Sequence, residues 1–189
     1  MNEAVRKDLT RSAKNFIEIV YPEIKQWFGN GQLVPVEAVT EIEMAKMLDM
    51  NSGIDAWYVE TENGIRGIGS RVQYDTDYSS FTIRKKRVGG TRTEYEKLSN
   101  AIENEWLYPH WFCQAFIDGE YLSNAGLCTT IDLIEFIKNG TLDKDYFINS
   151  CSNAEFFVVY WKHFRNKYDI NILRETKYNR PSRFAGAKP

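Results

Sequence analysis

The sequence predicts a mixed α/β (α+β) domain, in which helices flank a mixed sheet in the order α-β-β-β-α-β. Three observations lead to that class. The 189 residues, with 43% apolar and 14% aromatic content, are enough for one sizeable core. "GIDAWYVETENGIRGIGSRVQYDTDYSSFTIRKKR", Gly53 to Arg87, divides into three strand-like runs at two polar connections. On either side of it lie stretches whose apolar residues recur at helical spacing.

Taken in order, "VRKDLTRSAKNFIEIVYPEIKQWF" carries Val5, Leu9, Phe16, Val20, Ile24 and Phe28 on one helical stripe, with Pro22 bending or dividing it and "GNGQ" closing it. "PVEAVTEIEMAKMLDM" predicts a second helix, with Pro35 in its first turn and Val39, Ile42, Met47 and Met50 as its apolar positions. The three strands then form a meander. Glu62-Asn63-Gly64 supplies the first turn, because Asn and Gly tolerate positive φ. Phe81 and Ile83 alternate with Thr82 and Arg84, as in a half-buried strand. "TRTEYEKLSNAIENEWLY" predicts a helix capped by Thr91 or Thr93, with Tyr95, Leu98, Ile102 and Leu107 on one face and Pro109 ending it. "HWFCQAFID" and "YLSNAGLCT" read as paired strands. "TTIDLIEFIKNG" reads as a helix capped by Thr130 and closed by Gly140, and "EFFVVYWKHF" as a last strand, with a helix as the alternative. Residues 1–30 are expected as a helical extension, 31–165 as the core domain and 166–189 as a basic tail.

Composition narrows the chemistry. Cys113, Cys128 and Cys151 are scattered and form no C-x-x-C pair, so neither a disulfide framework nor a zinc knuckle is predicted. His110 and His163 are too few for histidine-based metal sites. No Ser or Cys stands in a G-x-S-x-G-like turn. "GIRGIG" has the wrong spacing for a dinucleotide fingerprint and reads as hairpin and strand. No apolar run approaches the length of a membrane span, and with polar N-terminal residues a cytoplasmic location is expected.

The formal net charge of −2 is unevenly spread. From Lys162 to Pro189 there are eight Lys/Arg against Asp169 and Glu175, leaving 16 basic against 24 acidic residues elsewhere. A second basic cluster is "RKKR", Arg84 to Arg87. Basic patches on an acidic body fit polyanion contact at one face, and they fit solvated surface equally well.

Asp55, at the start of an otherwise apolar strand, asks for a reason, because a carboxylate entering a sheet is costly unless it is bound, paired or exposed. A hydrogen-bonding partner, a metal ion and a solvent-facing position all answer it. The element order, together with Asp55 in "SGIDAWYV", resembles the core of the PD-(D/E)XK nuclease-like (restriction-endonuclease-like) superfamily over roughly Val36 to Asp118.

That resemblance implies Asp55 as a Mg²⁺ ligand, with a second acid and a lysine on the next strand. Hard oxygen ligands suit Mg²⁺, which activates water and offsets phosphate charge. The next strand, "GIRGIGSRVQY", contains no D/E-x-K: Arg71 keeps a basic position, Gln73 offers a neutral ligand in a shifted register, and the acid is missing. Glu41 or Glu43 on the preceding helix would replace it, Glu43 as second metal ligand. Glu94 and Lys97 open the following helix, where they also suit an ordinary surface pair.

Two functions are therefore expected. The first is a Mg²⁺-dependent nucleic-acid phosphodiesterase acting on DNA, with Asp55, Glu43, Arg71 and Gln73 at the site and Arg84, Lys85, Lys86, Arg87 and Lys97 holding the backbone. The second is a nuclease-like fold that no longer cuts. That would be a phage or mobile-element accessory protein binding nucleic acid or a host protein.

Overall fold

The structure is a computed structural model that describes residues 11–12, 14–36, 52–60, 64–87, 89, 92–151 and 154–174. It is mixed α/β, built on two sheets, and the described residues contain no helix long and apolar enough to cross a membrane.

The chain opens with a helical segment, α1. Its turns are π over Phe16–Val20, α over Tyr21–Ile24 and 3-10 over Lys25–Trp27. Pro22 explains the irregularity. It has no N–H to donate, its ring crowds the preceding turn, and Tyr21 N–H reaches back five residues to Phe16 O. Of the expected stripe, Phe16, Val20, Ile24 and Phe28 are all buried, and Val5 and Leu9 lie outside the described residues.

Strands β1 (Gln32–Pro35), β2 (Ala56–Glu60), β3 (Gly64–Tyr74), β5 (Trp111–Asp118), β6 (Tyr121–Thr129) and β9 (Asn171–Ile172) form one sheet in the order β1-β2-β3-β5-β6-β9. Only β3 and β5 run parallel, so the sheet is mixed. Pro35, expected in a helix, ends β1 opposite Ala56. The rest of that expected helix, with Glu41 and Glu43, lies outside the described residues, as do positions 61–63 of the first turn.

The meander is not formed. Strand β4 (Ser80–Arg87) leaves β3 and joins β7 (Phe147–Cys151) and β8 (Ala154–Tyr160) in a second, antiparallel sheet of order β4-β8-β7. Two causes stand out. Asp75 and Ser79 adopt positive φ, and Asp77 Oδ1 accepts from Ser79 N–H and Oγ, which turns the chain off the first sheet. The place beside β3 goes to β5, whose residues Phe112 to Ile117 are buried on both faces. A strand ending in four cations cannot fill a doubly buried position.

Each face of the large sheet carries its own core. Phe16, Val20, Ile24 and Phe28 of α1 pack against Tyr58, Ile68, Cys113 and Leu127 on one side. On the other, Phe112, Phe116 and Cys128 meet Phe81, Ile83, Phe157 and Val159 of the second sheet and three helices. These helices are α2 (Glu94–Glu103), α3 (Thr130–Asn139) and α4 (Trp161–Phe164). Thr93 caps α2 in a reciprocal box with Glu96. Leu107, expected on the apolar face of α2, lies past its end and is half exposed. Thr129, one residue earlier than expected, caps α3, and Gly140 closes it. "EFFVVYWKHF" is divided between β8 and α4.

Candidate functional site

The glycines of "GIRGIG" explain how β3 presents its side chains. A Cβ at Gly67 would lie 3.1 Å from Ile54 and 3.2 Å from Pro109, and one at Gly69 would lie 3.0 Å from the Gly53 carbonyl. The chain before β2 and after α2 therefore rests directly on this face of β3. Arg71 and Gln73 continue the same face by strand alternation.

Asp55 lies one residue before β2. Its Oδ2 accepts from Ser70 N–H at 2.6 Å and from Ser70 Oγ at 3.1 Å. The ladder between β2 and β3 ends at Ala56 opposite Ile68, with Asp55 N–H donating to Ile68 O. Beyond that point the Asp55 side chain takes the role of a neighbouring strand and accepts the next outward N–H of β3. Of the three reasons open for this carboxylate, hydrogen bonding is the one the geometry displays.

Arg71 and Glu94 come together 23 residues apart in sequence. Arg71 Nη2 donates to Glu94 Oε2 at 2.9 Å, with side chains 19% and 27% exposed. The same oxygen accepts Arg84 backbone N–H at 3.1 Å. Glu94 thus turns to Arg71, away from the expected pairing with Lys97, which stays partly exposed on the first turn of α2.

Two residues along β4, Thr82 N–H and Oγ1 donate to Gln114 Oε1 at 3.2 and 3.0 Å. Thr82 and Arg84 are two apart, so these donors lie on one edge of β4, the edge turned away from β8. Gln114 and Glu94 occupy that edge, linking the two sheets and blunting a strand end that would otherwise offer free donors.

The basic run lies at the far end of β4. Lys85 Nζ donates to Glu155 Oε2 at 3.2 Å and Lys86 stands 4.0 Å from Glu155 Oε1. Lys86 is 71% exposed at its side chain, and Arg87 is exposed too. The register of β4 against β8 shifts between Arg84 and Lys86, a bulge that changes the direction of the cations that follow. Phe156 gathers the inner pair: the guanidinium carbons of Arg71 and Arg84 lie 5.3 and 5.5 Å from its ring centroid.

Of the residues the sequence singled out, the fold therefore joins Arg71 and Arg84 around Glu94 and sets Lys85, Lys86, Arg87 and Lys97 nearby. Asp55 is engaged separately with Ser70. Glu155, Phe156 and Gln114 were not singled out. Nothing local marks them, since they sit in ordinary apolar strands and gain their roles only from partners distant in sequence.

Among the described residues no group of three or more His, Cys, Asp or Glu side chains could hold a metal ion. A three-acid cleft lined by Asp75, Asp77 and Asp118 lies past the ends of β3 and β5, but Asp77 is already bonded to Ser79 and to Asn124 Nδ2. No protein-family model, curated protein or solved structure matches the chain.

Proposed function

We propose that this protein binds nucleic acid, DNA in the first instance, through the basic end of β4 and the start of α2. One observation carries the reading. Six cationic side chains lie between Arg84 and Lys97 against two carboxylates, Glu94 and Glu96, and the outermost of them, Lys86 and Arg87, face solvent. Glu96 is turned to capping: the Thr93 N–H and hydroxyl hold its carboxyl below the ordinary range. Cations clustered at a bulged strand end suit contact with backbone phosphates, whose neutralisation makes binding fall steeply with salt.

Fluorescence anisotropy with labelled single-stranded DNA, duplex DNA and RNA, titrated with salt, tests this directly. The expected result is a steep log–log salt dependence. Replacing Lys85, Lys86 and Arg87 by Gln should weaken binding and reduce the slope by about one for each phosphate that is no longer neutralised. Salt-insensitive binding, or none with folded protein, would turn attention to a protein partner.

Phosphodiester cleavage is the second reading, carried by Asp55 and by the resemblance to the PD-(D/E)XK nuclease-like fold. The described residues do not by themselves make a Mg²⁺ site, because Asp55 Oδ2 is held by Ser70 and no three-ligand group is present among them. The same samples incubated with Mg²⁺ or Mn²⁺ decide it, provided Asp55→Asn is used beside Asp55→Ala. Asn keeps the acceptor for Ser70, so cleavage lost in both variants points to the charge of Asp55, and cleavage lost only in Ala points to its structural bond.

A further inference from the structure

Glu94 stands where an anion from outside could stand. A single oxygen of its carboxylate is held by a guanidinium from β3 and a backbone N–H from β4. Arg71 and Arg84 both rest against the Phe156 ring, so the guanidinium that holds Glu94 lies beside a second one. Glu94 is also the first residue of α2, a ten-residue helix whose positive end favours whichever anion sits there.

A further donor lies close in the fold. Gln114 is fully buried and directly opposite Arg71 in the β3–β5 register. Its Oε1 takes both Thr82 donors, and its Nε2 has no hydrogen-bond partner among the described residues. The Arg71 and Glu94 side chains are partly exposed, so the pair is open to solvent.

We propose that the Glu94 carboxylate is an internal substitute for phosphate, and that a phosphate group of bound nucleic acid displaces it from Arg71 and the Arg84 N–H. The inference rests on the nucleic-acid reading above and adds a built-in competitor to it. Carboxylate and phosphate use the same charge-assisted donors, and a phosphate brings more acceptor oxygens to them. Glu94 then swings toward solvent, where its charge is hydrated. Until it does, it repels an arriving phosphate and keeps the seat closed to weak anions.

The test uses Glu94→Gln, which keeps an acceptor oxygen for the same donors and removes the competing charge. Glu18→Gln is its control, because it removes an equal charge from an exposed pair with Lys14 on α1, across the large sheet from the seat. Thermal unfolding is followed with and without inorganic phosphate, and anisotropy is measured with one oligonucleotide carrying or lacking a terminal phosphate. Phosphate should raise the Tm of Glu94→Gln at concentrations that leave the parent protein and Glu18→Gln unmoved. The oligonucleotide should bind Glu94→Gln about tenfold more tightly, a gain abolished by adding Arg71→Gln. A preference for the terminally phosphorylated strand assigns the seat to a chain end, and an equal gain for both strands assigns it to an internal phosphodiester.

Equal gains in Glu94→Gln and Glu18→Gln would overturn the proposal, because they would reflect bulk charge alone. If the parent protein binds the oligonucleotide with steep salt dependence and Glu94→Gln shows no gain, the seat fails while the nucleic-acid reading stands. If neither protein binds oligonucleotide or phosphate, both fail. Should Glu94→Gln not fold, Arg71→Gln and Lys86→Gln are compared instead. The seat requires the half-buried Arg71 to cost more affinity than the exposed Lys86, and an equal or smaller cost overturns it.

Discussion

At the scale of single residues, the fold is held at several points by carboxylates that accept backbone N–H groups. Asp55 does this for Ser70, Glu94 for Arg84, and Asp145 for Thr141. Removing such an acceptor leaves a donor with no replacement. Asp55→Ala should therefore destabilise the protein by about 1–2 kcal/mol in urea unfolding, with Asp55→Asn losing less. Asp145 makes a pH-dependent case. The Thr141 N–H, and next Lys167, hold its carboxyl below the ordinary value of 3.8. A depressed folded value means its contribution is complete above 3.8 and is lost as the pH falls toward that folded value. The Tm difference between the parent protein and Asp145→Asn should be constant near neutral pH and narrow below 3.8.

At the scale of elements, boundaries follow local chemistry closely wherever a side chain bonds the backbone beside it. Thr93 and Glu96 form their capping box within four residues, so the start of α2 was legible in the sequence alone. Thr93→Ala should cost about 1 kcal/mol in thermal or denaturant unfolding, and Thr93→Ser should restore most of it. Pro22 was legible as a disturbance of α1, though whether it would break the helix or widen one turn depended on the sheet beneath. Pro35 shows the opposite case. A proline suits the first turn of a helix and an edge strand equally well, and β1 is an edge strand.

At the scale of the molecule, the decisive event is the stacking of the second sheet and its helices on the first. Gly126 and Trp161 make the contact most sensitive to change. A Cβ at Gly126 would meet Trp161 ring atoms at 2.5 to 2.9 Å, and Trp161 is 1% exposed. Gly126→Ala should cost about 1–3 kcal/mol through overpacking. Combined with Trp161→Phe it should cost less than the sum of the two single changes, because the smaller ring makes room. A double-mutant cycle in urea checks this, and strict additivity would show that the strain is released elsewhere.

The sequence by itself determined the mixed α/β class, the apolar stripe of α1, the strand runs of β3 and β4, the start of α2 to within two residues and the close of α3. Each depends on residues within a few positions of one another, where periodicity, backbone conformation and capping chemistry act. Only the tertiary structure decided that β4 would leave β3 for β8, that β5 would run parallel beside β3, and that Arg71 would find Glu94. Those outcomes are competitions between partners far apart in the chain. A strand pattern states which face is apolar and leaves open which neighbour covers it. The candidate site followed the same division: its cations were visible as "RKKR" and Arg71, whereas Glu94, Glu155, Phe156 and Gln114 acquired their parts only when burial left their donors, acceptors and rings with one another as the nearest partners.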